Sequence, residues 1–124
     1  MITLLPLKDD NRVKALFEEN SLDYDFSSGC ITAECGGEEL GRCLYSLDDE
    51  RIVIFKIYPE DDLPLADGIL RSALNAAAVR GALNAFYCGD GIRELCRKLN
   101  FIKNESENRL DAEKLFGGCR GCGG

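Results

Sequence analysis

A buried strand followed by a helix and a second strand constrains the fold more than any other feature of this sequence. Residues 51–58 form an almost unbroken run of apolar side chains, which is typical of a strand in the centre of a sheet. Pro59 ends this run, and apolar side chains then recur at helical spacing over residues 64–80. Residues 83–87 form the next apolar run. Because a helical crossover brings two strands side by side in parallel, the sequence predicts a parallel βαβ unit.

Upstream of this unit, apolar and polar residues alternate as they do in the strands of an antiparallel sheet. Residues 30–35 and 39–47 show this alternation, and Gly36 and Gly37 between them predict a tight turn. The polar residues 48–50 predict a second turn, which leads into the central strand. These three strands therefore form a predicted antiparallel meander.

The rest of the chain completes an α/β (α+β) pattern, a mixed sheet that combines the meander with the parallel crossover and carries helices on both faces. We expect one such domain over residues 1–116 and a Gly/Cys-rich tail over residues 117–124. Residues 20–28 fit either a short helix or a loop. The remaining predicted elements are a strand at 2–7, a helix from Asp9 or Asp10 to about Glu19, a helix from Gly89-Asp90-Gly91 to about Leu99, a strand at 101–103 and a helical turn at 111–116.

Charge and composition exclude several classes of function. The chain has 124 residues, a formal net charge of −7 and no histidine. Nucleic acids and anionic membranes bind basic surfaces, so we expect neither as a partner. No run approaches the about 20 apolar residues of a membrane helix, and the N-terminus does not resemble a secretion signal. We therefore expect a cytoplasmic protein whose chemistry does not use an imidazole.

Seven cysteines in a cytoplasmic chain indicate buried thiols or metal ligands rather than disulfides. Cys119 and Cys122 have the spacing of half a zinc site. The glycine-rich sequence around them also fits a terminal tail that holds no metal. The other two zinc ligands would come from one of three sources: Cys30 and Cys35, Cys88 and Cys96, or a second subunit.

The predicted order of elements resembles that of the GNAT (Gcn5-related N-acetyltransferase) family over nearly the whole chain. Two short stretches add to this resemblance. Residues 57–59, of sequence IYP, are followed by Leu70, Ala77 and Gly81, and together they resemble the strand, proline and helix of the family's acetyl-CoA motif. Residues 96–101, of sequence CRKLNF, resemble the family's closing Tyr-x-x-x-Gly-Phe.

The resemblance implies an acyl-CoA-dependent N-acyltransferase that transfers an acetyl group to a small-molecule or peptide amine. In this family a V-shaped cleft between the two parallel strands holds the pantetheine arm of acetyl-CoA, here beside Ile57 and Tyr58. The family's tyrosine acid, which protonates the departing thiolate, aligns with Cys96. The residues that align with the family's pyrophosphate-binding segment are Leu65, Ala66, Asp67 and Gly68.

The loop before the long helix opposes an anionic ligand. Asp62 and Asp67 place negative charge where the family binds phosphate, and Pro64 lacks an amide N–H. Asp61, Asp62 and Asp67 are instead well suited to the start of the helix itself, as caps and as partners of its dipole. For a general base the sequence offers Glu60, Asp61 or a route through water.

Two further functions therefore stand beside acyl transfer. One is a catalytically degenerate GNAT-fold module that binds a partner without using acetyl-CoA. The other is a thiol module that uses Cys119 and Cys122 for metal binding or redox chemistry. An exposed sheet edge would allow a homodimer.

Overall fold

The computed structural model describes residues 1–113, and its strands form one mixed sheet. In chain order the elements are β1 (Thr3–Pro6), α1 (Asp10–Glu19), β2 (Ser28–Cys35), β3 (Glu38–Leu47), β4 (Arg51–Tyr58), α2 (Leu63–Arg80), β5 (Asn84–Tyr87), α3 (Asp90–Lys98), β6 (Ile102–Asn104), a 3₁₀ turn (Glu105–Glu107) and β7 (Arg109–Leu110).

The order of strands in the sheet is β1-β2-β3-β4-β5-β7-β6. Strands β2, β3 and β4 pair antiparallel as the predicted meander, and β1 adds antiparallel to β2, a pairing that the sequence analysis does not predict. Strand β5 pairs parallel with β4, from Arg51 opposite Asn84 to Ile54 opposite Tyr87. The predicted mixed sheet, a meander joined to a parallel crossover, is therefore confirmed.

The two apolar cores show that helices cover both faces of the sheet. On one face, Phe17 of α1 packs in a cluster with Cys30 and Leu44. Their chain neighbours, Ile31 and Cys43, belong to a larger cluster that includes the buried side chains of α2 and α3. Because successive strand residues point to opposite faces, α1 lies on one side of the sheet and the other two helices lie on the opposite side.

Capping residues fix the ends of the helices. The Asp9 carboxylate accepts hydrogen bonds from the backbone N–H groups of Asn11 and Arg12 and so begins α1. Asp62 does the same for α2, where it accepts from Leu65. Gly81 ends α2 with a φ of 94°, a left-handed conformation that glycine adopts without a steric cost.

Three parts of the sequence prediction differ from the structure or lie beyond it. Residues 20–28 contain no helix, and β7 is a two-residue strand that the sequence pattern does not predict. Of the helical turn predicted at 111–116, residues 112–113 form a turn and the rest lies outside the described residues. The tail, with Cys119 and Cys122, also lies outside them.

Gly41 on β3 allows the end of β4 and the start of α2 to approach the sheet closely. A Cβ atom at this position would lie 2.4 Å from the backbone oxygen of Tyr58 and 2.9 Å from a methyl carbon of Ile69. Because the Tyr58 backbone oxygen cannot move away without displacing the end of β4, position 41 has room only for the hydrogen atom of glycine. Gly68 of α2, in contrast, has open space where a Cβ would lie, with no surrounding atom within 4 Å.

We expect Gly41→Ala to lower the free energy of unfolding by about 1–3 kcal/mol through overpacking. Gly68→Ala is the matched control, and it should raise the free energy of unfolding by about 0.5–1 kcal/mol because alanine is the better helix former. Urea denaturation of the two variants measures both changes. Equal stability of Gly41→Ala and the parent protein would contradict the close approach.

Candidate functional site

A cleft opens where β4 and β5 part. The last hydrogen bond between them runs from the Cys88 N–H to the Ile54 carbonyl, at an N···O distance of 3.0 Å. Strand β4 continues to Tyr58, whereas the chain after Cys88 turns through Gly89 into α3. The two segments diverge and leave a cavity of about 230 Å³. The cavity is lined by Asn20, Leu22, Phe55, Lys56, Ile57, Glu60, Cys88, Gly89, Gly91, Ile92 and Leu95.

A β-bulge at Phe55 shapes the β4 wall of this cleft. Tyr45 of β3 lies opposite Ile54 while the adjacent Leu44 lies opposite Lys56, so Phe55 is the extra residue. As a result Ile54 and Ile57 are both buried in the core beneath α2 and α3, although three positions separate them. On one strand the side-chain face and the direction of the amide are linked. The Ile57 N–H therefore points to the same side as the Ile54 carbonyl, which is the side of the cleft.

The Tyr58 side chain lies away from the cleft. It is 53% exposed, and the Arg42 guanidinium carbon stands 5.8 Å from the centre of its ring. It lines a separate pocket of about 50 Å³ together with Arg42 and Lys56. The structure thus places Ile57 in the cleft wall and the side chain of Tyr58 outside it.

Two groups of opposite charge line the cleft, Lys56 on β4 and Glu60 just beyond it. A Glu60 carboxylate oxygen lies 3.7 Å from the position that a Cβ on Gly91 would take, so this carboxylate stands beside the start of α3. Asp61 is not among the residues that line the cleft. Of the two acids considered as a general base, Glu60 is the one that the structure places at the cavity.

The start of α2 uses its own backbone donors. The Leu65 N–H donates to the Asp62 carboxylate at 3.2 Å, and the Ala66 N–H donates to the Asp62 carbonyl at 2.9 Å. Pro64 has no N–H, so of the first four helical residues at most Leu63 has a backbone donor left for a ligand. Asp67 forms an ion pair with Arg71 at 2.8 Å. A pyrophosphate at this helix start would meet carboxylates and occupied donors.

The residues predicted to bind pyrophosphate do not come together at the cleft. Leu65 and Gly68 line a different groove, of about 430 Å³, which Ile2 and Leu4 of the N-terminal segment complete. The Ala66 side chain is fully buried in the core. The structure therefore places Ile57, the predicted pantetheine-binding residue, at the cleft, and Leu65 and Gly68, predicted to bind pyrophosphate, at a separate groove.

Cys96, the predicted proton donor, is completely buried in the core that contains α2 and α3. Burial raises the pKa of its thiol to about 12. Ile92 and Leu95 of the same helix line the cleft, whereas Cys96 does not. It can reach a ligand only if the core opens, so its position is that of a packing residue.

No metal site is formed within the described part of the chain, because no three cysteine, aspartate or glutamate side chains converge there. The five cysteines of residues 1–113 are free thiols: Cys30, Cys43 and Cys96 are buried, and Cys35 and Cys88 are exposed. The zinc prediction rests on Cys119 and Cys122, outside these residues. No α-helix among residues 1–113 has both the length and the apolarity to span a bilayer.

Several residues of the cleft are not predicted as site residues by the sequence. Asn20 and Lys56 occupy separate segments, and no spacing rule joins them. Gly89 and Gly91 are predicted only as a helix start, although two glycines directly after a strand are a signal for a close backbone approach. That signal would have pointed to the α3 side of the cleft.

Removal of the Asp62 cap should destabilise the protein. We expect Asp62→Ala to lower the free energy of unfolding by about 1 kcal/mol. Asp62→Asn should lose no more than a few tenths of a kcal/mol, since asparagine is an equally good N-cap. Urea denaturation distinguishes the two. A loss in Asp62→Asn as large as that in Asp62→Ala would show that charge, and not the cap, stabilises α2.

Alkylation tests the burial of Cys96. In a Cys119→Ser/Cys122→Ser variant at about pH 8, iodoacetamide should label Cys88 in the native state, because its thiol is exposed to solvent. Cys96, whose pKa is raised by burial, should be labelled only after denaturation. Peptide mass spectrometry locates the labels. Native labelling of Cys96 at the rate of Cys88 would contradict its burial.

Neither a protein-family model nor a curated protein matches the sequence. Solved structures do match. The chain is similar to a ribosomal-protein-alanine N-acetyltransferase from Brucella melitensis biovar Abortus 2308, with a TM-score of 0.57 and 15% identity over 80% of this chain and 88% of that one.

Two further structures show the same likeness. A GNAT family acetyltransferase from Streptococcus pneumoniae TIGR4 matches with a TM-score of 0.55 and 13% identity, over 87% of this chain and 92% of that one. The YhhK protein from E. coli, in its structure with coenzyme A bound, matches with a TM-score of 0.55 and 13% identity, over 84% and 93%. Together with the mixed sheet and the diverging central strands, these similarities establish that the chain has the GNAT fold.

Proposed function

We propose that this protein is an N-acyltransferase that moves an acyl group from a thioester to an amine in the cleft between β4 and β5. The observation that carries the proposal is the divergence of the two strands after Ile54 and Cys88. A closed sheet would leave no room for a thioester arm, whereas this one leaves about 230 Å³ beside the backbone of β4. The likeness to a protein solved with coenzyme A supports the same use of the cleft.

The backbone of β4 supplies the electrophilic part of the mechanism. A thioester lying along this strand places its carbonyl oxygen near the Ile57 N–H, which points into the cleft. Attack by the amine turns that oxygen into an oxyanion, and a fixed N–H donor stabilises the charge as it develops. The attack forms the C–N bond; the oxyanion then collapses to a carbonyl, the C–S bond breaks, and its pair of electrons leaves with the sulfur as a thiolate.

Two proton transfers accompany the reaction, one from the attacking nitrogen and one to the departing thiolate. Glu60 takes the proton that the attacking nitrogen loses, directly or through one water molecule. The thiolate takes its proton from water at the open mouth of the cleft. Cys96 is the sequence candidate for that donor, but a completely buried thiol is a poor source of protons for a group in the cleft.

The acceptor class that we propose is a small-molecule or peptide amine. The ribosomal-protein-alanine N-acetyltransferase, by its name, acts on an amine of a protein. The net charge of −7 attracts cationic amines and disfavours nucleic acids and anionic membranes.

We also propose a cytoplasmic location. The five cysteines within residues 1–113 are free thiols, the state that reducing compartments maintain. We propose a homodimer as well: in the sheet formed by residues 1–113, β1 is an edge strand, and its outer side offers a surface on which two copies can pair.

The main rival is a GNAT-fold module that binds a partner and has no acyltransferase activity. The specific observation in its favour is the start of α2, where Asp62 occupies the donors that a pyrophosphate would need. The rival requires that no thioester binds the cleft, and the proposed function requires that one does.

Substitutions at Gly91 test the cleft. Gly91→Ala adds a methyl group in ordinary contact with Glu60 and should leave binding and transfer unchanged. Gly91→Phe should fill the cavity and abolish both. Binding is measured by thermal shift with millimolar acetyl thioesters, where saturation at about 100 times Kd stabilises by about 2.7 kcal/mol. Transfer is measured by mass spectrometry of an alanine-terminated peptide and a polyamine.

Glu60→Gln separates catalysis from binding. We expect the thermal shift with acetyl thioesters to remain and the transfer rate to fall by about 100-fold, because only proton removal is lost. The decrease should shrink as the pH rises and more of the amine is already deprotonated. Absence of any thermal shift in the parent protein would refute acyl transfer and favour the binding module.

A further inference from the structure

We infer that this protein recognises its acyl donor by the pantetheine arm alone, and that the adenosine diphosphate part of coenzyme A adds nothing to binding. The donor class is therefore a pantetheine thioester, with or without a phosphate. The inference rests on the proposed function, because it names the substrate class of the same cleft.

The first step concerns backbone donors at the start of α2. A helix N-terminus binds a phosphate through its free N–H groups. Here Pro64 lacks one, the Leu65 N–H is taken by the Asp62 carboxylate and the Ala66 N–H is taken by the Asp62 carbonyl. The carboxylate of Asp62 already occupies the place of an anion. A diphosphate at this position would have to displace it.

The second step concerns charge. Glu60, Asp61 and Asp62 are consecutive and exposed, and they form the loop that leads into α2. The nearest basic side chain along the helix, Arg71, is paired with Asp67 at 2.8 Å. An approaching diphosphate would therefore meet several carboxylates at once. Such repulsion weakens with ionic strength, since the screening length falls from about 10 Å at 0.1 M salt to about 3 Å at 1 M.

The third step concerns the cleft itself, which suits a neutral arm. Its walls combine the apolar side chains of Leu22, Phe55 and Leu95 with the backbone of β4, and the two charged residues among them, Lys56 and Glu60, are of opposite sign. The pantetheine arm carries amide groups but no charge. It can pair with the side of β4 that β5 leaves beyond Ile54, as an added strand would. This half of the site needs no donor from the start of α2.

The experiment compares three ligands that differ in phosphate and nucleotide content: S-acetylpantetheine, S-acetyl-4′-phosphopantetheine and acetyl-CoA. Calorimetry on the full chain should give similar affinity for the first two and no gain for acetyl-CoA. Between about 0.1 M and 1 M NaCl the affinity for acetyl-CoA should rise, and the affinity for S-acetylpantetheine should stay constant.

Neutral variants sharpen the comparison. Asp62→Asn keeps the helix cap but removes its charge, and Asp61→Asn removes a neighbouring charge of the same loop. Each should strengthen acetyl-CoA binding by about five- to tenfold and leave S-acetylpantetheine unchanged. Asp49→Asn is the matched control, because that carboxylate pairs with Arg80 at the opposite end of α2. It should change neither affinity.

The outcomes separate the inference from the proposed function. Two results would overturn the inference and leave acyl transfer standing. One is an affinity for acetyl-CoA that exceeds the affinity for S-acetylpantetheine by about tenfold or more. The other is competition between adenosine 3′,5′-diphosphate and acetyl-CoA for binding. Failure of all three thioesters to bind at about 10 mM would overturn both. Acetyl-CoA that binds no more tightly than S-acetylpantetheine, and whose affinity rises with salt, supports both.

Discussion

The hydrogen bond from the Cys88 N–H to the Ile54 carbonyl is the point on which the site depends. Before it, β4 and β5 form a regular parallel pair with α2 packed over them. After it, the two segments separate: β4 continues through the bulge at Phe55, and the segment after β5 turns at Gly89 into α3. Among residues 1–113, neither helix packing nor strand pairing fills the space between them. The paired part of the sheet thus holds open the cleft in which we propose that acyl transfer takes place.

Much of the fold could be predicted because long elements repeat their pattern often enough to be recognised. Arg51–Tyr58 has the predicted bounds, since an apolar run that ends at proline leaves little choice. The two residues of β7 are too few to show any period, so no sequence pattern marks that strand. The sequence of residues 20–28 fits a helix and a loop equally well. The tertiary structure selects the loop, in which Leu22 and Tyr24 pack against the core beneath α1.

The site was harder to predict than the fold. The sequence predicts aspartate caps at the start of α2 without choosing among Asp61, Asp62 and Asp67. The structure makes Asp62 the cap and pairs Asp67 with Arg71. The cleft lining does not follow from the sequence, because Asn20, Lys56 and Gly91 meet only through the tertiary structure. Cys96 illustrates the limit of a local match. Neighbouring positions on a helix point about 100° apart, so Leu95 faces the cleft while Cys96 faces the core.

The Asp62 carboxylate also stands in competition with any free anion at the start of α2. Because it is tethered two residues before the proline, it competes for the Leu65 N–H at an effective concentration that no free solute reaches. ATP, sulfate or inorganic phosphate would therefore have to displace the Asp62 carboxylate before it could accept from the Leu65 N–H.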